Sequence, residues 1–233
     1  MSAPTRESSR EIRAYITNCL TARALVYSLL GRLTGTPPSA EFLASIPLDL
    51  HRTLLPLVPP LGDVLTAVAD CLGDAEALRK AGEEYRRLYV GPNPLPAPIW
   101  ESVHRDPEHC LFGQATLDAR AFYAEYGVAF KSRRTEPDDH ISLECEFMAH
   151  LAAGANAAFR EQAIGEALAL VEGQRAFLEE HLLLWAPQAF ALQLPKAETP
   201  LYRAVVGLII AWIPADPALL SELRTTLENF RPD

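Results

Sequence analysis

Apolar positions recur at helical spacing along most of the chain. Ile12, Ile16, Cys19, Val26, Leu30 and Leu33 share one face of a first helix, which Gly35 and Pro37-Pro38 end. Prolines crowd residues 38–60 and leave room only for short helices. Helical patterns resume at 61–72 and 74–89, the second with charges along its outer face. A helix at 114–126 stops at Gly127, and a central helix runs on to about Ala158. The next, at 160–184, aligns Ile164, Leu168, Val171, Leu178 and Leu182, with Pro187 closing the turn that follows near Trp185. Thr199-Pro200 and Asp216-Pro217 each read as a cap followed by proline at the first helical position. They open two further helices, with Tyr202, Val205, Val206 and Ile209 on one apolar face and Leu219, Leu220, Leu223 and Leu227 on the other. No run of β-branched residues alternates long enough for a strand. The pattern predicts an all-α helical bundle.

Residues 91–113 break the period. Pro92, Pro94, Pro96, Pro98 and Pro107 make this stretch a semi-rigid connector, and long loops inside compact domains are often functional. The expected organisation is two helical lobes, 1–90 and 114–233, joined by a proline-rich hinge loop at 91–113. Trp100 inside it is either a packed anchor or part of a binding wall, and packing is the more frequent fate of a tryptophan.

Composition narrows the function classes. The chain has 233 residues, 49% of them hydrophobic, which suffices for a sizeable core. Its formal charge of −9 and lack of a basic face disfavour nucleic acid. Cys19, Cys71, Cys110 and Cys145 are scattered without a C-x-x-C, a pattern of reduced thiols rather than a disulfide frame or zinc site. The first fifteen residues lack an apolar signal-peptide core, and the apolar runs read as too short and too interrupted to span a bilayer. A soluble, cytoplasmic protein without stable membrane insertion is expected.

The chemistry gathers at Thr135-Glu136-Pro137-Asp138-Asp139-His140. Thr135 or Glu136 suits a cap, Pro137 the first helical turn, and the aspartates the positive helix end. Projected at about 100° per residue, the helix puts His140 and Glu144 one turn apart inside the apolar sector, with Asp139, Glu146 and His150 opposite. Capping accounts for Asp138 and Asp139. A His/Glu pair turned towards the core is either a structural lock or part of a working site. No nucleophile motif or phosphate loop accompanies it, and Cys110 beside His109 is only an adjacency. Glu101-Ser102-Val103-His104 spells the E-x-x-H of di-iron bundles, but in one copy and in a loop. His140 and Glu144 supply two ligands at most, with no third by spacing. Neither a catalytic residue nor a metal site is assigned.

Several segments nevertheless form a recognisable series. Glu136-Pro137-Asp138-Asp139-His140 resembles the E-P-x-D-H signature of the TorD/DmsD family, cytoplasmic chaperones of molybdenum oxidoreductases. Trp100-Glu101-Ser102-Val103-His104 is similar to its W-x-S-V-Y segment, with His104 in place of the tyrosine. Leu111-Phe112-Gly113, Arg120, Tyr123 and Gly127 follow in order, then His181 to Pro187 resembling H-x-x-x-W-x-P, and Leu201-Tyr202-Arg203. The resemblance spans about 85–213.

It implies an all-helical chaperone that binds the twin-arginine signal peptide of an apo-molybdoenzyme catalytic subunit, holds back export and assists molybdopterin insertion. Guanine nucleotide binding and domain-swapped dimers occur in some members and do not carry over from these motifs, so no cofactor is assigned, and a monomer or a swapped dimer is compatible. The expected binding site comprises Trp100, Glu101, Ser102, His104, Arg120, Tyr123, Glu136, Pro137, Asp138, Asp139, His140 and Glu144, in a cleft between the loop and the helix start. Glu136 and Asp139 would take the leader's basic part, Trp100 its apolar part, and His140, buttressed by Glu144, would orient the site. The rivals are an assembly factor of the same fold that grips the mature apo-enzyme, and a metal- or nucleotide-dependent enzyme using His140 and Glu144.

Overall fold

The computed structural model describes residues 6–48, 56–92, 94–130 and 136–231, and its regular structure among these is helical. The first pattern becomes α1 (Arg6–Gly35), which carries Ile16, Cys19, Val26, Leu30 and Leu33 fully buried. Short α2 (Ala40–Ala44) begins where Ser39 Oγ accepts the Phe42 N–H, as a polar cap should. Next come α3 (Leu61–Gly73), α4 (Ala75–Tyr89), the five-residue α5 (Glu101–Arg105) and α6 (Gln114–Glu125). Four more helices follow: α7 (Ile141–Arg160), α8 (Ile164–Phe177), α9 (Leu183–Gln193) and α10 (Pro200–Asn229).

Helix α7 forms the centre, packed between α1 and α8, while α10 packs against α9, α3, α8 and α1. One apolar cluster runs from Ile16 in α1 to Phe230 and draws on helices before and after the 91–113 connector. The approach of α1 to α7 is close because Gly31 and Gly35, one turn apart, face it. A Cβ on Gly31 would sit 3.0 Å from the Ser142 carbonyl oxygen, and one on Gly35 2.9 Å from Ser142 Cβ.

Two sequence expectations change here. Pro187 does not close a turn; it lies inside α9, after a π-helical turn at Leu178–Leu182. Losing one backbone bond at a proline is outweighed by packing, since Trp185, Ala186, Ala189 and Phe190 around it are all buried. Likewise Asp216-Pro217 starts no helix. The two predicted segments form the single 30-residue α10, with Asp216 fully buried in mid-helix. Asp216 pairs there with the buried Arg23 guanidinium of α1 and accepts the Tyr27 hydroxyl at 2.6 Å, and Arg23 Nε donates to Gln174 at 2.9 Å. Burial lowers the Arg23 guanidinium to about 10. As one helix, α10 is long and apolar enough to cross a membrane by length and composition. This corrects the reading of short, interrupted runs, although 44% of its most apolar stretch is buried inside the protein. The predicted cap at Thr199 is present, and Glu84 of α4 adds to it by accepting the Glu198 and Thr199 N–H groups at 2.5 and 2.7 Å.

Candidate functional site

The connector and the acidic turn meet. Trp100 and His140 form an antiparallel bridge: Glu101 N–H donates to the Asp139 carbonyl and Ile141 N–H to the Ile99 carbonyl, both at 3.0 Å. Their rings stand edge to face with centroids 5.6 Å apart. Two backbone bonds therefore close the space where a cleft was expected.

The acidic turn is not the first turn of a helix. Pro137 begins a tight turn in which the His140 N–H reaches the Pro137 carbonyl at 3.2 Å, and α7 starts only at Ile141. Its cap is His140 itself, whose Nδ1 accepts the Ser142 N–H at 3.0 Å. Glu136 and Pro137 do not cap or begin the helix, and Thr135 lies outside the described residues. The later start breaks the angular projection, so Asp138 and Asp139 are buried at 3% and 0% exposure instead of solvated.

Each aspartate is committed to the interior. Asp139 Oδ2 accepts the Ser102 N–H and Oδ1 the Thr116 hydroxyl, both at 2.7 Å. Asp138 Oδ2 accepts Arg120 Nε at 2.6 Å, and its carbonyl accepts the Tyr123 hydroxyl at 2.9 Å. One four-residue turn thus ties α5, α6 and α7 together through the Asp139 carboxylate and carbonyl and through Asp138 Oδ2 and its carbonyl. Asp139, expected to receive the leader's basic part, is an internal acceptor.

His140 is not buttressed by Glu144. Burial lowers its imidazole to about 4, Asp139 opposing weakly, so the ring is neutral at pH 7. Its Nε2 lies 3.8 Å from Glu136 Oε1, which also accepts the Trp100 indole N–H at 2.6 Å. Glu136 keeps 40% of its side chain exposed, and burial lifts its carboxyl above the ordinary value. Trp100 is half-buried beside it. His104, in place of the family tyrosine, stacks on Trp185 at 5.4 Å and meets the Pro98 carbonyl through Nε2 at 2.8 Å.

Glu144 belongs to a second group that spacing did not reveal. The Trp185 indole N–H donates to its Oε2 at 3.1 Å, while Oε1 has no hydrogen-bond partner. Burial, with the charge of nearby Glu101, pushes its carboxyl well above the usual range. Glu101 is itself fully buried; Arg105 pairs with its Oε1, and Oε2 lies 2.8 Å from His181 Nδ1. His181 and Trp185 were visible as the ends of H-x-x-x-W, one turn apart, but nothing in the linear order points them at Glu101 and Glu144. Thr116 and Arg105 carried no signal at all. The site residues therefore fall into a buried lock (Ser102, Tyr123, Pro137, Asp138, Asp139, His140), a buried cluster (Glu101, Glu144) and an accessible rim (Trp100, His104, Arg120, Glu136).

Residues 56–191 match the family described as nitrate reductase delta subunit. Among curated proteins, a DmsD of Haemophilus influenzae named as a Tat proofreading chaperone is 37% identical over 55% of this chain and 56% of its own length. The chaperone protein TorD of Aliivibrio fischeri is 26% identical over 85% of this chain and 94% of its own. The DmsD of Salmonella typhi is 31% identical over 59% and 63%. The alignment thus spans little more than half the length of the first of these relatives. Among solved structures, a protein from Archaeoglobus fulgidus described as a redox enzyme maturation protein superposes with a TM-score of 0.51 at 20% identity, covering 82% of this chain and 93% of that one, a likeness of fold.

Proposed function

Because the chain belongs to the nitrate reductase delta subunit family, with TorD and DmsD chaperones among its relatives, we propose that it is a cytoplasmic maturation chaperone for a molybdopterin-dependent oxidoreductase, one that binds the twin-arginine leader and the apo-form of its client. Its relatives are named as chaperones and not as enzymes. The physical feature that supports leader binding is the Trp100–Glu136 pair. It sets an exposed carboxylate beside a half-buried indole, held in place by the lock beneath.

A guanidinium can pair with that carboxylate bidentately while its planar face or the following apolar residues lie on the indole. The lock residues act by holding the rim, because both Asp139 carboxylate oxygens, Asp138 Oδ2 and the Tyr123 hydroxyl are already engaged inside the protein. Losing one such charge-assisted contact is worth roughly 1.5–3 kcal/mol, or on the order of 10- to 150-fold in affinity. Titration with a labelled twin-arginine peptide tests this. Glu136→Gln and an Arg-Arg to Gln-Gln peptide both lower affinity at least tenfold, and added salt weakens the wild-type complex because the rim is exposed. Unchanged affinity in Glu136→Gln refutes the assignment of the rim. Leader-independent capture of the apo-enzyme would favour the assembly-factor reading.

A further inference from the structure

The proposal concerns the buried cluster and stands independently of leader binding. Glu101 of α5, Glu144 of α7 and His181 of the π-helical turn are 0%, 0% and 3% exposed, and one ligand atom from each lies within 4.8 Å of the others. Two carboxylates and an imidazole converging in an apolar interior are an expensive arrangement unless something binds to them. The outer contacts are already of the supporting kind. Arg105 holds Glu101 by Oε1 and Trp185 holds Glu144 by Oε2, which leaves Glu144 Oε1 for a ligand and Glu101 Oε2 engaged only by His181 Nδ1 of the same cluster. Glu144 Oε1 is a fully buried carboxylate oxygen that no N–H or hydroxyl donor of the protein reaches, and the Glu101 carboxylate beside it can satisfy it only by sharing a proton.

We propose that Glu101, Glu144 and His181 form a binding site for a divalent transition-metal cation, with Zn2+ as the best fit to the set. One imidazole and two carboxylates are borderline-to-hard donors suited to Zn2+, and three protein ligands leave a fourth position for water. Donors at roughly 2.0–2.1 Å from zinc stand about 3.3 Å apart, so the set contracts slightly on binding, releases the proton held between His181 Nδ1 and Glu101 to solvent, and exchanges that hydrogen bond for two metal bonds. Arg105, which covers Glu101, is itself 32% exposed, and its second anchor is the Glu180 carbonyl at 2.9 Å. The pair suspected from spacing, His140 with Glu144, is not the ligand set, because His140 spends Nδ1 on capping α7, turns Nε2 towards Glu136 and does not converge with Glu144.

The test uses the full chain in a Cys110→Ser background, which removes the exposed thiol. Protein stripped with EDTA is titrated with Zn2+ against a chromophoric chelator and with Co2+ by visible absorption. One equivalent binds, Co2+ gives the intense bands of a low-coordinate nitrogen/oxygen site, and Glu144→Gln weakens affinity at least tenfold while retaining its helical circular dichroism. Zinc K-edge absorption on the wild-type chain serves should Glu144→Gln fail to fold: it reads one imidazole with oxygen ligands. No stoichiometric binding, equal affinity in Glu144→Gln, or a shell containing sulfur or several imidazoles overturns the site.

Discussion

Replacing Asp139 with alanine removes the acceptor of two charge-assisted hydrogen bonds at 2.7 Å, from the Ser102 N–H and the Thr116 hydroxyl. Each is worth roughly 1.5–3 kcal/mol. The site is fully buried, so both donors are left without water. Relief from burying a carboxylate offsets part of this, while each neutral donor left unsatisfied costs about 1–3 kcal/mol, so a net loss of about 2–5 kcal/mol is expected. That is a large share of the 5–15 kcal/mol typical of a folded domain. Asp139→Asn should cost less, about 2 kcal/mol, because the amide keeps one acceptor but turns an NH2 towards a donor. Thr116→Val should cost about 1–2 kcal/mol. Urea unfolding of the three variants and of Asp139→Ala/Thr116→Val completes a cycle, in which a coupling of at least 1 kcal/mol is expected for residues in contact. A leader contact predicts the reverse: intact stability and lost peptide affinity. If Asp139→Ala unfolds within 1 kcal/mol of wild type, the lock does not exist.

Four further outcomes follow from the same geometry. Between pH 6.5 and about 4 the unfolded chain protonates His140 and the folded chain does not, so the His140 contribution is complete above 6.5 and falls by up to roughly 3 kcal/mol as pH drops towards 4. Buried Glu144 works in the opposite sense, so the slope is read as wild type minus His140→Asn by urea unfolding from pH 7 to 4.5. Arg23→Met should cost about 3–5 kcal/mol by leaving Asp216 unpaired, and Arg23→Met/Asp216→Leu should recover most of it; a double variant no better than the single refutes the pairing. Gly31→Ala should lower the melting temperature, although alanine in an open helix gains about 1 kcal/mol, because its Cβ meets backbone at 3.0 Å. Separately expressed 1–90 and 114–233 should each fail to give cooperative unfolding, since one core spans both; two folded halves would restore independent lobes.

The helices were legible because each leaves a local trace: apolar spacing, a capping Thr199, prolines at helix starts. What misled was also local. A proline after an acidic residue looks the same at the start of a helix, in a tight turn (Pro137) and in mid-helix (Pro217). The difference lies in whether the aspartate finds a partner far away, and Arg23 is 193 positions from Asp216. The same blindness hid the cluster of Glu101, Glu144 and His181, gathered from three elements by packing alone. The meeting of Trp100 with His140 was reachable only by combining segments that no spacing rule connects.

A buried polar lock also bears on what the rim can recognise. A buried charge replaced together with its side-chain partners by apolar groups of similar volume is often no less stable, because burying charge costs what pairing returns. Apolar contacts, however, are indifferent to small slips of one element along another, whereas Asp139 accepts from Ser102 and Thr116 in only one register. That register sets where the Trp100 indole stands relative to the Glu136 carboxylate, and under the proposed leader binding the spacing of those two groups is what a peptide would read. Glu136 is therefore expected to decide how tightly a basic leader is held, and the buried aspartates whether its site has a fixed shape. Thr116→Val should separate the two roles: it leaves every rim atom in place, so a loss of peptide discrimination without loss of the Glu136 salt dependence would mark loosened register.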